Sequence, residues 1–288
     1  MWFTCTLEFA NIKRRREPKK MEQISNRIKV YVGVPTVGTV VDSQSYFWRK
    51  AEKMYGDKIE FIWPELCVRR IFHDAARNAI VEDFLKSEAD ILYMMDSDVV
   101  PPPDLFDMVL EHEKWKVAGA PYPIFMTPAG ASQPQIMFTA YKGRGTKGLG
   151  AADVPQTGTE FIDGLATGCL FIKREVLEQI PKPYFSFKYD EETRAMIEGE
   201  DLSFCKKVTD LGYKFYVDYS KTARHYKSVC LLEMNNYTME YAKRSVESYA
   251  TLMKPFIEEL QRRIKALKKP SSIVAPSADI AKKILTRI

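Results

Sequence analysis

A chain of 288 residues with 45% hydrophobic side chains can bury one large α/β core or two small ones, which excludes a disordered or fibrous protein. No apolar run is long enough to span a bilayer, and the opening MWFTCTLEFANIKRRREPKK sets its basic cluster behind its apolar residues, the reverse of a secretory signal; a cytoplasmic protein without an integral membrane segment is expected. The formal charge of +5 is modest and gathers near the two ends, in KRRREPKK and QRRIKALKK, where it reads as a solvated tail and helix face or as a footing for a phosphate-rich partner.

The five cysteines, Cys5, Cys67, Cys169, Cys205 and Cys230, are scattered without a C-x-x-C pair, so they read as reduced thiols and not as a disulfide framework or structural zinc site. Residues 1–25 lack a period and are expected to form a poorly ordered basic extension, with Met21 as an alternative start. RIKVYVGVPTVG then reads as a β-branched strand feeding a loop, SQSYFWRKAEKMYG as a helix stopped by glycine, and KIEFIWPE as a second strand. RIFHDAARNAIVEDFLKS predicts a helix with Ile71, Ala75, Ala79 and Phe84 on one face, and ADILYMM a buried strand. Strand, helix, strand, helix, strand in succession implies an open α/β sheet of mostly parallel strands with right-handed crossovers.

Beyond the prolines at 101–103, PDLFDMVLEHEK predicts a helix with Pro in its first turn, and WKVAGAPYPIF another strand. Residues 126–160 read as a long connection holding a hairpin and a mobile loop. GLATGCLFIKREVLEQI gives a strand and a short helix, EGEDLSFCKKVTDLGY a helix with an acidic first turn and a glycine stop, and KFYVDYS a late strand. From Met234 the pattern is helical, with a bend expected at Pro255 and a last helix in SADIAKKILTRI. The expected organisation is therefore an extension over 1–25, an α/β domain over 26–235 and a helical extension over 236–288, the last a surface through which a homo-oligomer could form.

Chemistry concentrates in ADILYMMDSDVVPPPD, where Asp96 and Asp98 stand at the carboxyl end of a buried strand. Ligands of open α/β sheets bind beyond such ends. A spacing of two puts both carboxylates on one side of an extended segment, and two converging negative charges call for a cation or protons. Oxygen ligands of this kind suit Mg²⁺ or Mn²⁺ holding a diphosphate. A D-x-D arises by chance about once in a few hundred residues, so the position at the strand end matters more than the triplet.

Several segments taken in order resemble the nucleotide-sugar-dependent glycosyltransferases of the GT-A fold, close to their family 2 type. VGVPTVG resembles the first strand and base-binding loop; AARNAIVEDFLKSEADILYMMDSD the helix with Arg-Asn followed by the D-x-D strand. VAGAPYP resembles the next strand, ATGCLFIKREVLEQI the strand and helix bordering the acceptor, and GEDLSFCKKVTDLGYKFYVDYSKTARH the Glu-Asp helix with its downstream histidine. The resemblance runs from about Lys29 to Tyr226. It implies a Rossmann-like GT-A fold with a central, mostly parallel mixed sheet flanked by helices. It further implies a nucleoside diphosphate sugar as donor and Mn²⁺ or Mg²⁺ as cofactor. In its terms Asp98 and His225 hold the metal, Asp96 binds ribose and joins the metal, and Pro35, Thr36 and Arg77 line the nucleotide pocket. Asp201, with Glu200 beside it, serves as general base, with inversion favoured over retention.

Each residue also has a plain structural reading. His225 could be a packed histidine, Glu200 and Asp201 could merely favour a helix dipole, and Arg77 could be a helix-face cation. His73 and His112 lie in helices without acidic company and read as structural. Two other functions compete with the transferase. A nucleotidyltransferase making activated sugars should carry a basic glycine-rich loop after the first strand, which GVPTVGTVV lacks. A catalytically inactive sugar-binding or scaffold protein would keep the fold alone. The acceptor is not legible: polysaccharide, lipid, protein and modified DNA all remain open, as do the donor base and sugar.

Overall fold

The computed structural model describes residues 27–36, 41–64, 72–126, 135–143, 147–150 and 157–227, together with a scattered set between 239 and 264. The extension over 1–25, the loop after Thr36, much of the 126–160 connection and the helix expected in SADIAKKILTRI lie outside them. The chain divides into two compact units, 1–227 and 228–288. In the second, residues 253–262 are helical, Pro255 among them, and Phe256, Ile257 and Leu260 are exposed. Among the described residues no helix is long and apolar enough to cross a membrane.

The first unit opens with β1 (Ile28–Gly33), α1 (Asp42–Tyr55), β2 (Ile59–Ile62), α2 (His73–Lys86) and β3 (Ile91–Met95). Then come β4 (Val99–Val100), α3 (Asp107–Leu110), β5 (Val117–Gly119), β6 (Pro123–Met126), β7 (Gln135–Lys142) and β8 (Lys147–Gly150). It closes with β9 (Thr159–Ile162), β10 (Gly164–Leu165), β11 (Cys169–Lys173), α4 (Arg174–Leu177), β12 (Lys188–Tyr189), β13 (Met196–Glu198), α5 (Glu200–Asp210), β14 (Phe215–Asp218) and β15 (Arg224–His225). Seven strands form the central sheet in the order β2-β1-β3-β11-β5-β14-β9. The pairs β2/β1, β1/β3 and β5/β14 are parallel, while β11 runs against both its neighbours and β9 against β14. This is the mixed, mostly parallel sheet that the sequence implied.

Core packs on both faces of that sheet. Along β3, Leu92 and Met94 belong to a cluster with Ile80, Phe84, Phe204 and Val208, whereas Ile91, Tyr93 and Met95 face Phe47, Phe106 and Phe171. A strand covered on both sides has no need of polar alternation, which is why ILYMM reads as an unbroken apolar run. Helix α2 lies so close to β1 that a Cβ on Gly33 would stand 2.3 Å from Ile80 Cγ2, and only glycine permits that approach.

Four expectations change. The buried face of α2 is Ala76, Arg77, Ile80, Val81 and Phe84; Ala75 and Ala79 fall off it, and Ile71 is outside the described residues. A charged residue in the middle of the inward stripe disguised its true phase. The helix foreseen over 103–114 is broken into a 3₁₀ turn, Pro103–Phe106, the short α3, and a second 3₁₀ turn, His112–Lys114. The strand foreseen over 115–125 is two strands, β5 in the central sheet and β6 in a smaller antiparallel sheet with β7, separated where Pro121 interrupts pairing. Finally, Gly56 ends α1 with φ −63°, so its left-handed freedom is unused, whereas Gly212 after α5 does take φ +84°.

Arg174, at the start of α4, fastens the end of α2. Its guanidinium donates to the carbonyls of Phe84, Leu85, Ser87 and Ala89 at 2.8–3.0 Å and stacks 4.6 Å from the Phe84 ring. Leu85 supplies one of the last carbonyls of α2, which the helix itself leaves unpaired, whereas the Phe84 carbonyl also accepts from Ser87 N–H and Oγ. Replacing Arg174 with Met keeps the length and strands several acceptors, so a loss of about 2–3 kcal/mol is expected. Urea unfolding should show a lower midpoint at unchanged slope; an unaltered midpoint would show that water serves those carbonyls equally well.

Candidate active site

The sheet topology brings distant segments to one edge. Strands β1 and β3 are parallel neighbours, so Pro35 and Thr36 after β1 and Asp96 after β3 emerge at the same end. Because β11 runs antiparallel to β3, with Cys169 opposite Met95, it is the residues before β11 that arrive there, Thr167 and Gly168. The start of α5 supplies Glu200 and Asp201. Past β14 the chain returns in β15, which pairs with β4 so that His225 stands opposite Val99, and Tyr226 N–H donates to the Asp98 carbonyl at 2.8 Å.

Arg77 is the centre of the first cluster. It points from α2 into the fold and is 3% exposed, which a guanidinium tolerates only with charged partners. Nη2 donates to Asp96 Oδ1 at 2.9 Å and Nη1 to Glu200 Oε1 at 2.8 Å, while Nε lies 3.8 Å from Asp201 Oδ1. Burial opposes its charge, but the fields of Asp96, Asp201 and Glu200 outweigh that and raise its pKa. Three carboxylates around one cation leave a surplus of negative charge. Burial, and then Asp201, push the Glu200 carboxyl up to about 7; burial likewise raises Asp96 despite Arg77. Retention of a proton within the cluster is thus favoured near neutrality.

Asp98 belongs to a second cluster. The chain turns after Asp96, with Val99 N–H donating to the Asp96 carbonyl at 3.1 Å, so the extended geometry that would have made the two carboxylates converge does not apply. Asp96 meets Arg77, whereas Asp98 Oδ2 lies 3.5 Å from His225 Nε2 and accepts from Lys227 Nζ at 2.5 Å. Burial works to raise Asp98, and hydrogen bonds from His225 and Lys227 overcome it, holding its pKa down at about 2. His225 Nδ1 donates to the Pro123 carbonyl at 2.8 Å, which fixes the ring with its Nε2 facing Asp98.

This pair of donors bears directly on whether the chain could hold a divalent ion. Among the described residues no group of three or more His, Cys, Asp and Glu is arranged as a metal cage. Mg²⁺ seldom uses such a cage: it takes one or two protein ligands and fills its octahedron with phosphate oxygens and water. Asp98 supplies a carboxylate for that pattern, and His225, its imidazole oriented from behind by a carbonyl, adds a nitrogen that the softer Mn²⁺ accepts more readily than Mg²⁺. Asp96 is engaged by Arg77.

Several contributors carry no signal in the sequence. Gln44 on α1 donates to the carbonyls of Asp96 and Val99 at 2.8 and 2.9 Å, fixing the acidic turn from a helix fifty residues upstream. Thr167 donates to Asp201 Oδ1 at 2.5 Å. A Cβ on Gly168 would stand 2.5 Å from the Tyr122 hydroxyl and 2.6 Å from Asp96 Oδ2, so this glycine makes room for the acidic turn. His73, read as structural, stands at the rim with Nδ1 3.9 Å from Glu200 Oε1. Thr36 and Pro35 are buried at the end of β1. Cys169 and Cys205 are free buried thiols.

No protein-family model matches the sequence, and no curated protein does. Among solved structures the chain is similar to A197 from STIV, with 20% identity and a TM-score of 0.45 over 70% of this chain and 86% of that one. It is similar to GalNAc-T7 with UDP, GalNAc and Mn²⁺, with 11% identity and a TM-score of 0.41 over 72% of this chain and 45% of that one. A third is the catalytic domain of Drosophila β1,4-galactosyltransferase 7 in complex with xylobiose, with 14% identity and a TM-score of 0.36 over 70% and 71%.

The raised Glu200 carboxyl has a consequence for stability. Between its ordinary 4.5 and about 7 the unfolded chain loses this proton while the folded chain keeps it. Its contribution is therefore full below pH 4.5 and falls as pH rises toward 7. Glu200→Gln should abolish that part of the decline. Urea unfolding of both proteins at pH 4.5, 6 and 8 should give curves that diverge with pH; parallel curves would mean that Glu200 ionises normally in the folded state.

Proposed function

We propose that the protein is a metal-dependent glycosyltransferase, most specifically a hexosyltransferase. It moves a sugar from a nucleoside diphosphate sugar to an acceptor hydroxyl. The observation that supports this reading is the meeting, at one edge of the sheet, of residues from five separated segments: Arg77, Asp96 with Asp98, Thr167, Glu200 with Asp201, and His225. A structural salt-bridge network would need neither the second, separate Asp98–His225 pair nor its place beyond the strand ends. The motif order resembling GT-A enzymes supports the same reading.

Asp98 and His225 would hold Mg²⁺ or Mn²⁺, which when bound neutralises the charge that grows on the departing diphosphate. The chain's own residues do the rest. Asp201 accepts the acceptor hydroxyl's proton as that oxygen attacks the anomeric carbon from the face opposite the diphosphate, which inverts the configuration. Its orientation is preset, because Thr167 and Arg77 Nε both approach Oδ1. Glu200 keeps the cluster's surplus charge in check by retaining a proton near neutrality. Arg77 ties Asp96 to the start of α5, so the donor side and the acceptor side move as one body. Pro35 and Thr36 would form the wall against the base, and Asp96 would meet the ribose.

Two rivals remain distinct in what they release. Incubation with Mn²⁺ and a panel of nucleoside diphosphate sugars should free nucleoside diphosphate; a nucleotidyltransferase would leave these intact and instead release pyrophosphate from a nucleoside triphosphate and a sugar 1-phosphate, and an inert sugar-binding protein would do neither. With the active donor in hand, Asp98→Asn is expected to remove chelator-sensitive nucleoside diphosphate binding in calorimetry. Asp201→Asn should slow transfer by about 10²–10⁴ while donor binding stays intact. Full turnover by Asp201→Asn would take that residue out of the reaction.

A further inference from the structure

Lys227 has no place in the reaction as described, yet it sits at the most contested atom of the site. Its Nζ donates to Asp98 Oδ2 at 2.5 Å, the same oxygen that lies 3.5 Å from His225 Nε2. Its position follows from the fold: the β4/β15 pairing sets Arg224 opposite Val100 and His225 opposite Val99, and the Tyr226 bond to the Asp98 carbonyl draws the next residue back over the acidic turn. The lysine side chain is 56% exposed while that of His225 is 7% exposed, so the ammonium approaches from the solvent side and the imidazole forms the floor.

We infer that Lys227 is a resident counter-cation: it neutralises Asp98 in the ligand-free protein, yields Oδ2 to an entering divalent cation, and then pairs its ammonium with the diphosphate. This rests on the proposed metal and diphosphate site. An ammonium in hydrogen-bond contact with Oδ2 and a dication on the same oxygen repel one another, so the two compete for it. Once displaced, the flexible four-carbon stem keeps the charge close by, where a diphosphate carries more negative charge than one divalent ion cancels. Lys227 is thus a positioning and charge-balancing residue with opposite effects on two ligands.

The test uses the full chain with Mn²⁺ alone, then inorganic pyrophosphate, which offers the diphosphate without any choice of base. Free Mn²⁺ is counted by electron paramagnetic resonance. Relieved of its competitor, Lys227→Met should bind Mn²⁺ about two- to five-fold more tightly than wild type, the range expected for loss of a solvent-facing ion pair. At saturating Mn²⁺ it should bind pyrophosphate more weakly. Lys227→Arg, which keeps the charge, should follow wild type in both measurements, and Arg224→Gln, removing a nearby cation that does not touch Asp98, should change neither. Equal Mn²⁺ affinity in Lys227→Met and wild type, with Asp98→Asn still abolishing binding, would overturn the role of Lys227 and leave the metal site standing. Equal Mn²⁺ binding by Asp98→Asn, or none by any variant, would remove the metal site and this inference together.

Discussion

One buried guanidinium holds the site end of this fold together. Arg77 reaches Asp96 at the tip of β3 and Glu200 at the head of α5, and its Nε faces Asp201. The first helix and the strand are consecutive while the second helix lies 123 residues beyond Arg77, and a single planar fork fixes their relative positions. A buried ion network of this kind is a poor device for stability alone, because desolvation offsets much of the attraction; apolar residues of similar volume would serve as well or better. Its presence at a core-facing position of α2 is better explained by what it arranges. It keeps three acids within reach of each other and, through burial, holds one of them near the protonation boundary of neutral pH.

A turn and one short ladder separate the chemistry into halves. The turn following Asp96 sends one carboxylate inward to Arg77 and the other outward to His225 and Lys227, and the β4/β15 pairing secures the outer half. The acid cluster and the cationic rim are thereby neighbours that do not compete for the same side chain. Under the proposed reaction the first would handle the acceptor proton and the second the leaving group. Gln44 stabilises the division by claiming the carbonyls of Asp96 and Val99, which leaves the carboxylates to set their own partners.

Much of this was legible in the sequence where local pattern coincides with tertiary role. The apolar run of β3 marked a central strand, and glycine after α5 marked a true left-handed stop. What escaped was information carried by pairing across the sheet. Nothing local in CLFIK says that this strand runs against its neighbours, yet that reversal is why Thr167 and Gly168 reach the site. The stripe of α2 was misphased because Arg77 occupies an apolar position, so the failure of the pattern fell on a site residue itself. The parity argument for Asp96 and Asp98 assumed extended backbone where the chain in fact turns. Gln44 and Lys227 were silent because a lone polar residue on a helix or after a strand has no distinguishing context.

The clasp that Arg174 places on the end of α2 has a bearing on how this region could diverge among relatives. It grips main-chain oxygens of Phe84, Leu85, Ser87 and Ala89, and of their side chains only the Phe84 ring. Water-facing positions there, such as Lys86 and Glu88, are accordingly open to drift in identity, while the number of residues between helix and strand is not: one inserted or deleted would move the oxygens out of the fork. Variation in spelling with constancy in length is the signature such a joint would leave across a lineage.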